Sequence, residues 1–202
     1  MPAAAAAGQL IAFEGLDQSG KQTQAEQLAA ALRATNRRVE FLSFPEYRTA
    51  IGAEIGRALH GEREYAPDTM QLLYVANRYE FRPRILEWLA GGAIVVCDRY
   101  LASSVAYGEA QGLDPAWLLD VQRYLPQPAI TLLLDIAPEA SLRRKQAARD
   151  KFERDLPLLS RVRASYRRQA SHPDWVIVDG QQERDVVAAA VVTAVRSRLG
   201  LL

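Results

Sequence analysis

Five short apolar runs punctuate the chain: LIAFEG (10–15), VEFLSF (39–44), AIVVCD (93–98), AITLLLDI (129–136) and WVIVDG (175–180). Their apolar residues are continuous rather than alternating with polar ones, the pattern of parallel strands covered on both faces. Between them lie segments with apolar residues at helical spacing, 20–34, 68–90, 114–124, 138–170 and 182–199. This alternation predicts an α/β fold, a doubly wound five-stranded parallel sheet with helices on both faces and right-handed crossovers. Residues 143–155, RRKQAARDKFERD, hold too few apolar positions for a continuous buried helix and by themselves read as a solvated face. In such a sheet ligands gather beyond the carboxyl ends of the strands, so chemistry is expected just after positions 15, 44, 98 and 136.

No repeat or Pro/Gly-rich linker divides the chain, so residues 1–202 read as a single domain. A hydrophobic content of 49% argues against disorder, and 25 basic against 24 acidic residues give no general attraction to nucleic acid or membrane. The one cysteine, Cys97, excludes an internal disulfide and reads as a buried, inert thiol within AIVVCD. The leading MPAAAAAG lacks the basic and long apolar regions of a signal peptide, and no apolar segment is long enough to span a bilayer. A cytoplasmic location is the expectation.

The first apolar run leads into GLDQSGKQT, residues Gly15, Leu16, Asp17, Gln18, Ser19, Gly20, Lys21, Gln22 and Thr23. A strand, a glycine-bearing turn and a lysine opening a helix form the G-x-x-x-x-G-K layout of an ATP phosphate-binding loop. The glycines let backbone N–H groups approach phosphate oxygens, and Lys21 with the helix N-terminus supplies positive charge. One position is anomalous. The residue after the lysine carries a hydroxyl for Mg²⁺ in this motif, but here it is Gln22, and Thr23 comes one residue too late. Magnesium tolerates being held by phosphates, waters and one or two carboxylates. Asp17 and Asp98 are the expected metal carboxylates, Asp98 at the strand end where a Walker-B-type acid sits. A simple strand-end cap is the other reading of Asp98.

Three further segments carry arginine toward the same sheet edge. FPEYRTAIG (44–52) places Tyr47 and Arg48, LLYVANRYE (72–80) sets Tyr74 and Arg78 four residues apart, and DRYLASSVAYG (98–108) adds Arg99, Ser103, Ser104 and Tyr107. Alone, Tyr74 and Arg78 read as a core aromatic and a surface arginine. Together the segments point to a phosphorylated acceptor, because a guanidinium fork binds two oxygens at once.

The blocks FEGLDQSGKQTQ, FPEYRTAIG, YVANRYE, DRYLASSVAY, YLPQPAITLLLDI and ARDKFERDLPLLSRVRASY, in this order over roughly residues 8 to 180, resemble the thymidylate (dTMP) kinases. D-R-Y, F-P and A-N-R are more specific to that family than the phosphate loop. The resemblance implies a magnesium-dependent transfer of the ATP γ-phosphate to dTMP, serving dTTP synthesis. It also implies a homodimer formed through helices beside the sheet. By the same resemblance, Asp17 contacts the acceptor 3′-hydroxyl, Tyr74 stacks on thymine and Arg78 binds the base. Arg99 holds the acceptor phosphate, Ser103 and Ser104 meet the base edge, and Tyr107 lies under the deoxyribose. The segment 143–155 matches a lid over ATP.

Three positions depart from the family pattern. Gln22 is one. Gln18 stands where some members place a catalytic arginine, leaving Arg144, Arg149 and Arg154 as substitutes, with Arg149 and Arg154 favoured to join Asp17, Lys21 and Arg99 in catalysis. Where many members have arginine two residues after the F-P proline, this chain has Tyr47 and then Arg48, which leaves Arg48's role open. Two other readings stay on the table: a kinase for another nucleoside monophosphate or a deoxynucleoside, and a nucleotide-binding protein without useful catalysis.

Overall fold

Five strands, β1 (Gln9–Glu14), β2 (Val39–Ser43), β3 (Ile94–Asp98), β4 (Ile130–Asp135) and β5 (Trp175–Asp179), pair in parallel in the order β2-β3-β1-β4-β5. The computed structural model describes residues 8–144 and 155–202. Alternate strand residues bury against different helices. Ile11, Phe13, Val96 and Leu132 face α1 (Lys21–Ala34) and α8 (Arg184–Leu199). On the other face Leu10, Val95 and Cys97 meet α3 (Pro67–Ala90), while Leu133 and Ile136 meet α4 (Leu101–Ala110) and α7 (Leu156–Gln169). Both faces of β1, β3 and β4 are thereby covered, which is why these strands read as unbroken apolar runs. The edge strand β5 differs: only Val178 is buried and Ile177 is half-exposed.

The expected doubly wound α/β sheet is present, with two helices that periodicity did not reveal. The first, α2 (Ala50–Leu59), is a short amphipathic helix that buries Gly52, Ile55 and Ala58; it begins inside the segment read as an acceptor loop, and its start is marked by Thr49, whose Oγ1 accepts from the Gly52 N–H at 3.0 Å. The second, α4, is built from small residues packed on several sides, so it has no polar face to set its period. The helix expected over 114–124 is the shorter α5 (Pro115–Asp120). The pattern over 138–170 appears as α6 (Pro138–Arg144) and α7; the intervening basic residues, Arg149 and Arg154 among them, lie outside the described residues. Cys97 is fully buried, and burial pushes its thiol far above the usual range, in keeping with an inert role. No helix among the described residues is long and apolar enough to cross a membrane.

The turn after β1 depends on one glycine. Gly15 has φ 139°, and a Cβ there would lie 2.5 Å from the Leu134 carbonyl oxygen of β4. A left-handed conformation and a backbone clash act together at this residue. Gly15→Ala is therefore expected to lower unfolding free energy by about 2 kcal/mol or more, measured by urea denaturation. A stability within about 0.5 kcal/mol of the parent would contradict this account of the turn.

Candidate active site

The loop of residues 15–20 wraps the carboxyl end of β1 and hands over to α1 at Gly20, which takes φ 92° and leaves the first turn without a side-chain cap. Uncapped N–H groups at a helix start form a ready anion site. Lys21 lies across the loop, its Nζ donating to the Leu16 carbonyl at 2.7 Å. Burial and then the nearby Arg99 lower the Lys21 ammonium to about 8, with Asp17 and Asp98 pulling the other way. The loop is braced from α6. Ser141 Oγ donates to the Asp17 carbonyl at 2.8 Å, and Arg144 donates to the Gln18 carbonyl at 3.1 Å and the Gly180 carbonyl at 2.9 Å. Ser19 Oγ is buried with no partner among the described residues. Gln18 is exposed in a left-handed conformation, φ 60°.

The two unusual glutamines and the two candidate metal carboxylates have different surroundings. Gln22 is exposed on the first turn of α1, its Nε2 donating to Glu26 Oε1 at 2.9 Å, while Thr23 is half-buried beside it. Asp98 lies at the end of β3, in register with Ser43 of β2, whose Oγ donates to Asp98 Oδ2 at 3.1 Å. The other oxygen, Asp98 Oδ1, is buried without a partner among the described residues. An orphaned carboxylate oxygen beside the phosphate loop, a hard donor, suits a magnesium ion. Asp17 fits that role less well: Arg99 Nη2 donates to its Oδ1 at 2.5 Å and Tyr107 donates to its Oδ2 at 2.8 Å. Among the described residues no group of three or more His, Cys, Asp or Glu could hold a metal.

A cavity of about 80 Å³ opens beside the loop, lined by Asp17, Tyr74, Arg78, Arg99, Ser103, Ser104 and Tyr107 among others. Seven of the nine residues expected around an acceptor thus meet in one place. Burial works against the Asp17 charge, but Arg99 and Lys21 outweigh it, with help from the Tyr107 hydroxyl, and hold the carboxyl well below its usual range. Arg99 lies 5.4 Å over the Tyr107 ring. Arg78 is almost completely buried; its Nη1 donates to Ser104 Oγ at 2.7 Å and Gln122 Oε1 at 3.3 Å, and its Nε has no partner among the described residues. Such a buried donor is an opening for a ligand acceptor.

Tyr47 and Arg48 are not brought to the cavity wall. Tyr47 is half-exposed, and Arg48 points outward in a fork on Glu46, with Nε to Oε1 at 2.8 Å and Nη2 to Oε2 at 2.5 Å. The loop reaches the cavity through Phe44 and Pro45 instead. Asn77, the middle residue of A-N-R, holds that loop from α3: its Oδ1 accepts from Glu46 N at 2.8 Å and its Nδ2 donates to Thr49 Oγ1 at 3.0 Å. Ser103 also differs from expectation. Its Oγ accepts from Arg99 and donates to the buried Glu14, so the hydroxyl serves an internal network as well as the cavity. Glu14, Tyr166, Gln71 and Gln111 were not singled out in the sequence; of these, Glu14 alone carried a signal, a charge placed at the end of an apolar strand.

Comparison with known proteins bears on the whole assembly. The family model described as thymidylate kinase matches residues 13–191. A thymidylate kinase of Plasmodium falciparum is 32% identical over 189 residues, 93% of this chain and 90% of that one. One from Dictyostelium discoideum is 30% identical over 182 residues, covering 90% and 82%. The solved thymidylate kinase of Candida albicans superposes with a TM-score of 0.82 at 27% identity, over 97% of this chain and 94% of that chain. Since sequence and fold agree over nearly the full length, this chain belongs to the thymidylate kinase family.

Proposed function

We propose a division of labour for the reaction of this kinase. The enzyme is an ATP:dTMP phosphotransferase: a dTMP phosphate oxygen attacks the ATP γ-phosphorus, the bond to the β–γ bridging oxygen breaks, and dTDP and ADP leave for dTTP synthesis. The observation that carries the assignment is the adjacency of the phosphate loop to a cavity walled by Arg78, Arg99, Tyr74 and Tyr107. The acceptor is already ionised, so no strong general base is required, and positioning with charge neutralisation supplies the rate.

In this reading Arg99 grips the acceptor phosphate, steered by Asp17, whose carboxylate also meets the 3′-hydroxyl. Tyr74 stacks on thymine, Arg78 with Ser104 reads a base oxygen, and Tyr107 occupies the space a 2′-hydroxyl would need. Lys21, pre-set across the loop, moves from the Leu16 carbonyl to the β- and γ-phosphates. Asp98, through its free Oδ1, would hold a magnesium ion, which when bound neutralises charge on the ATP phosphates. Arg149 and Arg154, in the lid of about residues 143–155 of a single kinase domain, neutralise the transferring group. Lid closure excludes water. We place the enzyme in the cytoplasm; we also read it as a homodimer, and the exposed apolar side chains Leu72 and Leu86 of α3, Leu119 and Tyr124 support that reading.

A coupled ADP-release assay across dTMP, dUMP, UMP, CMP and thymidine should show dTMP as the preferred acceptor; turnover with none of them would overturn the assignment. Arg149→Ala and Arg154→Ala are each expected to lower kcat by about 10³-fold or more with little change in dTMP KM, and an unchanged kcat in both would remove the lid from catalysis. The depressed Lys21 gives a pH test. Phosphates favour the ammonium, so above about pH 8 ATP binding must take up a proton. The ATP KM should stay flat below that pH and climb above it, approaching about tenfold per pH unit. A KM unchanged through about pH 9.5 would contradict the lowered pKa of Lys21.

A further inference from the structure

Glu14, the last residue of β1, is a fully buried carboxylate whose hydrogen bonds among the described residues come from uncharged groups. Its Oε1 accepts from the backbone N–H of Tyr100 at 2.9 Å and of Ser103 at 3.3 Å. These are the N-cap and first-turn amides of α4, a helix whose own N-cap side chain makes no capping bond. A residue from the neighbouring strand therefore caps the helix. Arg99 stands just before this start in a left-handed conformation, φ 60°, which a non-glycine residue keeps only where its surroundings impose it. Two consecutive residues of β1 impose it. The Phe13 carbonyl accepts the Arg99 N–H at 2.9 Å, and Glu14 takes the next amide.

The same carboxylate reaches the Arg99 side chain. Glu14 Oε2 accepts from Ser103 Oγ at 2.6 Å and from the Tyr166 hydroxyl at 3.1 Å. Arg99 Nη1 donates to both of those hydroxyls, at 3.1 Å and 3.4 Å. Burial and then Glu14 push the Tyr166 hydroxyl far above its usual range, so it keeps its proton and donates it. The hydrogen-bond chain from guanidinium through hydroxyls ends on Glu14, the one acceptor that needs no proton of its own. We infer that Glu14 is a positioning residue for the acceptor phosphate: it fixes the backbone turn that presents Arg99 and, through Ser103 and Tyr166, the orientation of its guanidinium. The inference rests on the reading that Arg99 grips that phosphate.

The test compares Glu14→Gln with Arg99→Ala in the full chain, using dTMP as substrate and thymidine, which lacks the phosphate, as competing inhibitor. In Glu14→Gln the amide oxygen can still cap α4, but an NH₂ donor faces the two hydroxyls. The dTMP KM should rise about tenfold, with the ATP KM and the thymidine inhibition constant each within about twofold of the parent. An unmoved dTMP KM, or a parallel loss of dTMP and thymidine, overturns the role of Glu14 provided Arg99→Ala weakens dTMP alone. If Arg99→Ala weakens dTMP and thymidine alike, the reading of Arg99 fails and the inference falls with it. Should Glu14→Gln not fold, Tyr166→Phe decides in its place. A rise of about threefold in dTMP KM alone supports the inference, and no rise overturns it.

Discussion

Charge buried at the carboxyl end of β1 must be paired or hydrogen-bonded, and that requirement organises the active-site side of the sheet. Eight consecutive positions, 14 to 21, place Glu14, Asp17 and Lys21 there. Asp17 draws its partners from Arg99 and Tyr107 and Glu14 from α4 and α7, all distant in the chain, while Lys21 is held within the loop by the Leu16 carbonyl and by the field of Asp17 and Asp98. Leaving one of these charges alone would cost several kcal/mol, on the order of 3–5 for a broken buried pair. The strand ends, the start of α4 and the face of α7 are consequently held in one arrangement.

That arrangement is already close to what phosphoryl transfer needs. Arg99 is anchored by its backbone to Phe13 and by its side chain to Asp17, so in the proposed reading its fork is oriented before the acceptor phosphate arrives. Little ordering remains to be done in the bound state, which is where positioned groups gain their effect. Asn77 does the same for the loop carrying Phe44 and Pro45, tying it to α3 one residue from Arg78. The wall that would meet the base and the wall that would meet the sugar phosphate thus belong to rigid helices, α3 and α4, rather than to free loops.

The departures at Gln18 and Gln22 take a physical meaning from their surroundings. Gln22 turns along the exposed side of α1 toward Glu26, while the buried oxygen of Asp98, unpartnered among the described residues, lies at the end of β3, the strand beside β1. A metal held mostly by its phosphates needs little more from the protein than that. Gln18 is exposed at the loop tip and carries no charge, so in the mechanism we propose the positive charge for the transferring group comes from another segment.

The strands, their order of alternation with helices, and the phosphate loop were legible in the sequence because short-range rules write them: apolar runs for covered strands, glycine where the backbone turns left, lysine at a helix start. Arg78, Arg99, Tyr74 and Tyr107 were singled out through the family resemblance, since Tyr74 and Arg78 alone read as a core aromatic and a surface arginine; the structure brings all four to one cavity. The helix α4 was not legible, since small residues erase the periodic stripe when a helix is packed closely on several sides, and the short α2 was not, since it begins inside the segment read as an acceptor loop. Nor was the outward turn of Arg48, which follows from Glu46 two residues away winning its guanidinium. The network of Glu14, Ser103 and Tyr166 joins residues up to 152 positions apart. By itself the sequence determined which elements form and which chemical groups they carry; only the tertiary structure decided which group satisfies which. A buried charge is answered by whatever the strand register and helix packing bring within hydrogen-bond reach, and that depends on distances between segments that no local pattern encodes.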